Sequence, residues 1–212
     1  MEKESAKIQK VNRFLFLLPL LGLALFVLFY VMAALQYPGG SRIHPNETGF
    51  SFWNNYLCDL LDIETINGLP NPARDYSRVA LFVLCSGLIL FWYYVPRLFG
   101  EKNGNGMAIR ATGMGSMFIT LFMTNSNHDM VVRLAGIFGV VALVLLMIQL
   151  LRAAHVVFFR FGLFCLLVFL VNYYIYETNI YIEALPVIQK ITFISFLSWF
   201  ALLDVAIYKR AD

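Results

Sequence analysis

Charged residues are scarce in this chain of 212 residues, because Asp, Glu, Lys and Arg together make up only 14% of it. In soluble domains roughly a quarter of the residues are charged. Hydrophobic residues make up 60% of the chain, and they lie in long uninterrupted runs that a water-soluble core does not need. The composition therefore excludes an aqueous core, a nucleic-acid-binding surface and a dinucleotide-binding crevice. It predicts a polytopic membrane protein that binds no nucleic acid.

Cysteine and histidine are also rare, with three residues of each. The cysteines are Cys58, Cys85 and Cys165, and the histidines are His44, His128 and His155. The cysteine spacing contains no CxxC and fits no disulfide or metal framework. A catalytic zinc site takes about three protein ligands, but His155 is predicted to lie on the opposite side of the membrane from the other two histidines. A set of His44, His128 and Asp59 or Asp62 has no diagnostic spacing, so we expect neither a metal nor another cofactor.

The long apolar runs predict an all-α membrane protein with six transmembrane helices. Each run has about the 20 residues that a helix needs to cross the hydrocarbon, or nearly so. The predicted spans are about 14–35, 79–96, 107–124, 130–151, 156–176 and 187–208. The first run is longer than the apolar region of a signal peptide, so a retained span is expected. The whole chain, 1–212, is predicted to be one membrane domain with an outer loop at 36–77.

The distribution of Lys and Arg predicts the orientation of these spans. With the N-terminus inside, 11 of the 16 basic residues lie on the inner side and 5 on the outer side. Acidic residues show the opposite bias, with 5 inside and 8 outside. The inner charge is thus 11 − 5 = +6 and the outer charge is 5 − 8 = −3, which sum to the formal +3. We expect both termini to be cytoplasmic and the location to be a bacterial inner membrane.

The outer loop contains the segment FSFWNNYLCDLLD at 50–62, which predicts a short amphipathic helix. At 3.6 residues per turn one face is apolar, and it consists of Trp53, Tyr56, Leu57, Leu60 and Leu61. Another face is polar, and it consists of Ser51, Asn55, Asp59 and Asp62. About three turns are too short to cross a bilayer. The helix is therefore predicted to be extracytoplasmic and to lie on the membrane with its aromatic side buried.

Polar residues that are unusual for a membrane protein gather at the outer side of the predicted bundle. Ionisable groups at membrane depth are costly, and they normally pair with each other or line a wet cavity. We therefore predict a polar pocket at the outer leaflet, covered by the loop helix. Its candidate ligand-binding residues are Asn55, Asp59, Asp62, His128, Arg133 and Glu177. Arg133 lies one turn inside its span and is expected to pair with a carboxylate, for which Asp59, Asp129 and Glu177 are the candidates.

Other charges have a simpler interpretation, because side chains at helix ends are often solvated or extend towards the interface. Asp129, Glu183 and Lys190 are interpreted in this way, and the helix dipole favours Asp129 at the start of its span. Asp204 lies in the inner half of the sixth span. It is predicted to form a structural pair with a cation of the inner end, such as Lys209 or Arg110.

The predicted pocket suits recognition of a lipid or another amphiphile, unless the protein has a structural role in the membrane. The alternative is a hydrolase or transferase that acts on an amphiphile, with His128 and Asp59 as the catalytic acid–base pair. The chain has no HExxH or GxSxG motif. A small transporter or channel is the second alternative, but it needs polar groups at several depths. The expected partners are membrane lipids or an amphiphilic small molecule, and the sequence leaves a homo-oligomer open.

Several motifs of the loop resemble a family of small bacterial membrane proteins. They are YPGG after the first span, GFSFWNNYLCDLLD, NGLPNPAR before the second span, and a His at the start of the fourth. The family consists of six-helix proteins that share a domain of unknown function and are loosely similar to DRAM-like membrane proteins. The family usually has a Ser-Asp-Leu-Gly run where this chain has Cys58, Asp59, Leu60 and Leu61. The resemblance thus supports six helices and implies roles only for Asp59 and His128.

Overall fold

The fold was obtained as a computed structural model, which describes residues 14–99, 105–123 and 128–210. The described chain folds into six α-helices in a sequential arrangement. They are α1 (Leu18–Gln36), α2 (Ala73–Tyr94), α3 (Asn105–Thr120), α4 (His128–Arg152), α5 (Val156–Thr178) and α6 (Leu185–Arg210). Short 3₁₀ helices occupy Leu15–Leu17, Cys58–Leu61, Val95–Phe99 and Ile182–Ala184. The described ranges contain no β-strand, and their β structure is limited to two isolated bridges in the loop between α1 and α2.

Five segments of the described chain are long and apolar enough to cross a membrane. They are Leu15–Gln36, Ala73–Phe99, Asp129–Arg152, Val156–Thr178 and Ile182–Arg210. The helix α3 has 16 residues, which corresponds to about 24 Å at a rise of 1.5 Å per residue. That length is short of the roughly 30 Å of a hydrocarbon core. The all-helical class is therefore confirmed, and length and composition support five full spans with α3 as a shorter sixth helix.

The helix boundaries differ from the predicted spans where a polar segment continues a helix. The second span was predicted to begin at 79, but α2 begins at Ala73 and carries ARDYSR as its first six residues. A hydropathy pattern detects the part of a helix that lies in hydrocarbon, so it does not detect a helical extension into water. The predicted bounds of α4, α5 and α6 agree with the observed ones to within two residues.

Helices that follow each other in the chain pack side by side, α1 on α2, α3 on α4 and α5 on α6. The backbones of α1 and α2 approach each other closely at Gly22 and Gly87. A Cβ atom added to Gly22 would lie 3.0 Å from the Cα of Gly87, so glycine suits this distance between the two backbones. Small residues of α4 also mediate a helix contact. The Ser116 hydroxyl of α3 donates to the carbonyl of Ala135 at 2.7 Å, and a Cβ on Gly139 would lie 3.1 Å from the Ser116 Oγ.

Aromatic side chains from α2 and α6 form the centre of the core. The rings of Phe91 and Phe200 lie 4.8 Å apart, and the rings of Trp92 and Phe200 lie 5.8 Å apart. Trp199 is fully buried, and its Nε1 donates to the carbonyl of Phe158 on α5 at 2.8 Å. Edge-to-face and tilted aromatic pairs of this kind add stabilisation beyond the area that they bury. The buried core cluster thus contains residues from all six helices.

The carboxyl group of Asp204 does not form the pair that the sequence predicted. Asp204 is fully buried, and neither of its oxygens has a hydrogen-bond partner among the described residues. Arg110 instead donates its Nε to the carbonyl of Tyr93 at 2.9 Å and lies over the Tyr93 ring. The cost of burying a carboxylate is therefore not offset by a side-chain ion pair with Arg110.

Candidate functional site

The loop between α1 and α2, residues 37–72, folds over the ends of the helices, and we call it the cap. The sequence predicted a helix over 50–62, but this prediction was wrong. The segment instead forms a turn over 52–54 and a 3₁₀ helix at Cys58–Leu61. Side chains of Asn and Asp can bond to nearby backbone groups and so compete with helix formation. Here the Asn55 Oδ1 accepts from the Ser51 amide at 2.9 Å, and the Asp59 Oδ2 accepts from the Tyr56 amide at 2.8 Å.

Two polar residues of the cap segment are buried inside the protein. Asn55 is 0% exposed and Asp59 is 6% exposed, whereas Trp53, which was predicted to face the membrane, is 64% exposed. Leu60 alone among the predicted apolar residues is fully buried. The polar residues of the segment therefore hold the cap from inside, and its largest aromatic residue lies on the outside.

Asn55 is the central residue of the buried polar cluster. Its Nδ2 group donates to the carbonyl of Gly40 at 2.7 Å and to the Asp59 Oδ2 at 2.9 Å. Because its Oδ1 also accepts from the Ser51 amide, both ends of the amide are bonded. Gly40 has a φ of +85°, and a Cβ there would lie 2.7 Å from the amide nitrogen of Asn67. Glycine is therefore required where the cap chain passes Asn55.

Lys190 of α6 inserts its ammonium group into the cap. The Nζ donates to the carbonyl of Asn55 at 2.5 Å and to the carbonyl of Pro186 at 3.0 Å. It also lies 5.8 Å and 5.2 Å from the ring centroids of Phe50 and Phe52, distances at which a cation is attracted to an aromatic face. Lys190 is 3% exposed. From the sequence, Lys190 was interpreted as an ordinary helix-end charge. However, a charged residue inside an apolar span usually has a specific bonding partner.

Further hydrogen bonds connect the cap to α1, α2 and α6. The Gln189 Oε1 accepts from the Leu57 amide at 2.7 Å, and the hydroxyl of Tyr30 donates to the Leu57 carbonyl. The Ser77 hydroxyl donates to the Leu60 carbonyl at 2.7 Å. Asn71 donates its Nδ2 to the carbonyls of both Asp59 and Asp62, at 3.1 Å and 2.9 Å. These partners are far apart in sequence, so no local pattern predicts them.

The electrostatics of the cap follow from its burial. Burial raises the pKa of the Asp59 carboxyl from 3.8 to about 6, although the hydrogen bonds from Asn55 and the Tyr56 amide and the charge of Lys190 act in the opposite direction. Burial, together with the carboxylates of Asp59 and Asp62, raises the pKa of the Cys58 thiol to about 12. Cys58 therefore remains a neutral thiol at physiological pH, and it is a poor nucleophile.

A second polar cluster lies between the start of α4 and the end of α5. Arg133 pairs with Glu177 through two contacts, Nε to Oε1 at 3.1 Å and Nη2 to Oε2 at 3.2 Å. Beside this pair the Tyr176 hydroxyl donates to the Asp129 Oδ1 at 2.5 Å. The Arg133 and Glu177 side chains are 55% and 32% exposed. Of the three carboxylates that were candidates for Arg133, the structure selects Glu177.

Five of the six predicted ligand-binding residues fall into two groups. Asn55, Asp59 and the half-buried Asp62 belong to the cap, and Arg133 and Glu177 belong to the cluster between α4 and α5. His128 is the first residue of α4, but its side chain lies outside the described part of the chain. The structure brings Arg133 to Glu177 and does not bring it to Asp59.

The outer surface of the cap carries large apolar side chains among polar ones. Six large hydrophobic side chains of the cap are exposed by 40–64%, and they are Ile43, Phe52, Trp53, Ile63, Ile66 and Leu69. The exposed polar residues of the cap are Arg42, His44, Asn46, Thr48 and Glu64. An open groove is lined by residues 43–47 and includes the His44 and Glu47 side chains. Asn54 donates its Nδ2 to the Glu47 Oε2 at 3.3 Å. The cap therefore has a polar, hydrogen-bonded interior and six large apolar side chains on its exterior, which we call the apolar exterior.

The motifs that resemble the six-helix membrane family lie mostly in the cap, and several of their residues have structural partners there. Asp59, Asn71 and Gly40 each take part in the hydrogen bonds described above. Comparisons of the chain with protein-family models, with curated proteins and with solved structures found no match, so the resemblance stays a prediction and the functional argument depends on the geometry of the cap.

Proposed function

We propose that this integral membrane protein recognises a lipid or another amphiphile of the outer leaflet through the apolar exterior of its cap. The observation that carries the proposal is the exposure of Trp53 and five other large apolar side chains on a segment that is fixed from inside. Large exposed apolar patches mark binding or membrane-contact surfaces. Because the segment is fixed, these side chains stay exposed, and a ligand with an acyl chain would cover them.

The interior of the cap supports recognition over catalysis. Asp59, the carboxylate of the alternative acid–base pair, is buried and accepts hydrogen bonds from both Asn55 and the Tyr56 amide. A general base must reach the proton that it removes, and a substrate cannot reach Asp59 while the cap is closed. The buried polar residues of the cap thus fit a role in maintaining its shape, which keeps the apolar side chains of the cap on the outside.

The proposal is tested by photolabelling with a phospholipid that carries a diazirine on its acyl chain. The purified protein in neutral detergent is labelled at increasing lipid concentration, and the labelled residues are mapped by mass spectrometry. We expect saturable labelling of residues 43–69 that unlabelled phospholipid displaces. Trp53→Ser should weaken the saturable labelling about tenfold or more, because full burial of a large apolar side chain contributes about 1.5–3 kcal/mol.

Tyr181→Ser is the matched control. Tyr181 is an aromatic residue that is 79% exposed, and it lies in the connection between α5 and α6, outside the cap. We expect this variant to be labelled like the wild type. Labelling of the cap that rises linearly with lipid concentration, or that is equal in the wild type and in Trp53→Ser, would contradict the proposal.

A further inference from the structure

The end of the bundle opposite the cap contains a cleft that the proposed function does not use. We call it the basal cleft, and it is lined by Phe16, Arg97, Leu98, Ile207 and Arg210. These residues come from the 3₁₀ helices that flank α1 and α2 and from the last turn of α6. The cleft has a volume of about 70 Å³. Among the described residues that line it, two are arginines, which is unusual in a chain with few charges.

The two guanidinium groups are held in place by contacts that leave other donors free. The Arg97 Cζ lies 4.8 Å from the ring centroid of Phe16 and 5.5 Å from that of Tyr94. Stacking of this kind uses the face of the guanidinium and leaves the N–H groups at its edge. Arg210 donates one Nη1 hydrogen bond to the carbonyl of Leu98. Within residues 14–99, 105–123 and 128–210, neither arginine forms an ion pair with a carboxylate.

We propose that the basal cleft binds a phosphate-bearing anion between Arg97 and Arg210, either a lipid headgroup or a soluble phosphate. Guanidinium groups bind phosphate oxygens through charge-assisted, often bidentate hydrogen bonds. Basic pockets between transmembrane helices on the cytoplasmic side bind anionic headgroups, and the distribution of Lys and Arg predicts that this end is cytoplasmic. The apolar side chains of Phe16, Leu98 and Ile207 suit the glycerol and acyl portion of a lipid.

Native mass spectrometry tests the proposal with the intact protein. The protein is reconstituted in nanodiscs of phosphatidylglycerol and phosphatidylcholine in equal amounts, released into neutral detergent, and analysed for retained lipid. A basic residue near an anionic membrane surface changes binding about fivefold. We expect the wild type to retain phosphatidylglycerol in preference to phosphatidylcholine, and Arg97→Gln/Arg210→Gln to reduce that preference about 25-fold.

Arg110→Gln is the matched control, because Arg110 also stacks on a tyrosine but does not line the cleft. We expect it to keep the wild-type preference. A second arm measures the broadening of the ³¹P signal of inorganic phosphate by the protein in phosphate-free neutral detergent. Broadening that needs both arginines, without a lipid preference, identifies soluble phosphate as the ligand, whereas the lipid preference identifies a headgroup.

The proposal is overturned if neither probe depends on the two arginines, or if Arg110→Gln loses lipid preference as strongly as the double variant. If the double glutamine variant does not elute as a monodisperse species, Arg97→Lys/Arg210→Lys replaces it. This variant keeps both charges and loses the planar fork of the guanidinium. It should retain an intermediate preference, and an unchanged preference would show that the guanidinium geometry has no role.

Discussion

Replacement of Asn55 by alanine should open the cap. The substitution removes three hydrogen bonds from a fully buried position, to the Ser51 amide, the Gly40 carbonyl and the Asp59 carboxylate. Gly40 keeps a second donor in the Tyr37 hydroxyl at 3.2 Å, and Asp59 keeps the Tyr56 amide. With about 1 kcal/mol for each lost bond, we expect the free energy of cap opening to fall by about 3 kcal/mol.

Cys58 provides a native reporter of this opening. It lies within the cap and is half-buried, and burial raises its thiol pKa to about 12. It should therefore react more slowly with a water-soluble maleimide while the cap is closed than when the cap is open. Cys85 and Cys165 are buried, and they are replaced by alanine in the reporter protein. When reclosing is faster than labelling, the labelling rate follows the population of the open state. A loss of about 3 kcal/mol should then raise the rate more than 100-fold.

Asn54→Ala is the control for this experiment. Asn54 makes one longer hydrogen bond to Glu47, at 3.3 Å, and is half-buried, so its loss should change the labelling rate less than about fivefold. Circular dichroism and the elution volume in detergent establish that both variants keep their helices. Equal labelling rates for Asn55→Ala and Asn54→Ala would refute the conclusion that the Asn55 hydrogen bonds close the cap.

Two further predictions concern the ionisable groups of the cap and of the polar cluster between α4 and α5. The pKa of Asp59 is raised from 3.8 to about 6 in the folded state, so the folded state binds a proton more readily than the unfolded state between these values. Stability should therefore decrease by about 3 kcal/mol as the pH rises from about 4 to about 6, and then stay constant. The Tm of Asp59→Asn minus that of the wild type should increase over this range, and a difference independent of pH would contradict the assignment. In thermal unfolding, the effects of Arg133→Ala and Glu177→Ala should be less than additive because the two side chains are paired. The effects of Arg133→Ala and Asp59→Ala should add, and coupling between them would show that the two polar clusters are in contact.

The helices were predictable from sequence because a membrane imposes one requirement along the chain. Each backbone amide in hydrocarbon must be bonded within its own segment, so a long apolar run implies a helix. The bounds of α5 and α6 agree with the apolar runs for this reason. The start of α2 at Ala73 could not be predicted in this way, because the first turns of α2 are polar and lie outside the apolar run. The helix α3 marks another limit, because it ends at Thr120 although the predicted span continued to 124.

The cap was not predictable in the same way. The helical periodicity of 50–62 extends over only 13 residues, and local bonds from Asn55 and Asp59 to backbone amides compete with a helix there. The bond between Lys190 and the Asn55 carbonyl joins residues 135 positions apart. No pattern within the loop contains this information. Asn55 and Asp59 were predicted as site residues because they are polar residues in a loop between apolar spans. That prediction did not include distant partners such as the Gly40 carbonyl and Lys190, which contact Asn55.

The structure separates the residues that hold the cap from those that the cap exposes. Burial of an ammonium group is costly unless it is well bonded. When the cap opens, the Lys190 Nζ keeps its hydrogen bond to the Pro186 carbonyl within α6 but loses the Asn55 carbonyl and the rings of Phe50 and Phe52. The same cap position places Trp53 outside. Changes at Asn55 or Lys190 should therefore alter cap opening, whereas changes at Trp53 should alter lipid labelling and leave cap opening unchanged. A Trp53 variant that also labels rapidly at Cys58 would show that the exterior stabilises the closed cap, and the exposed aromatic surface would then need no ligand to explain it.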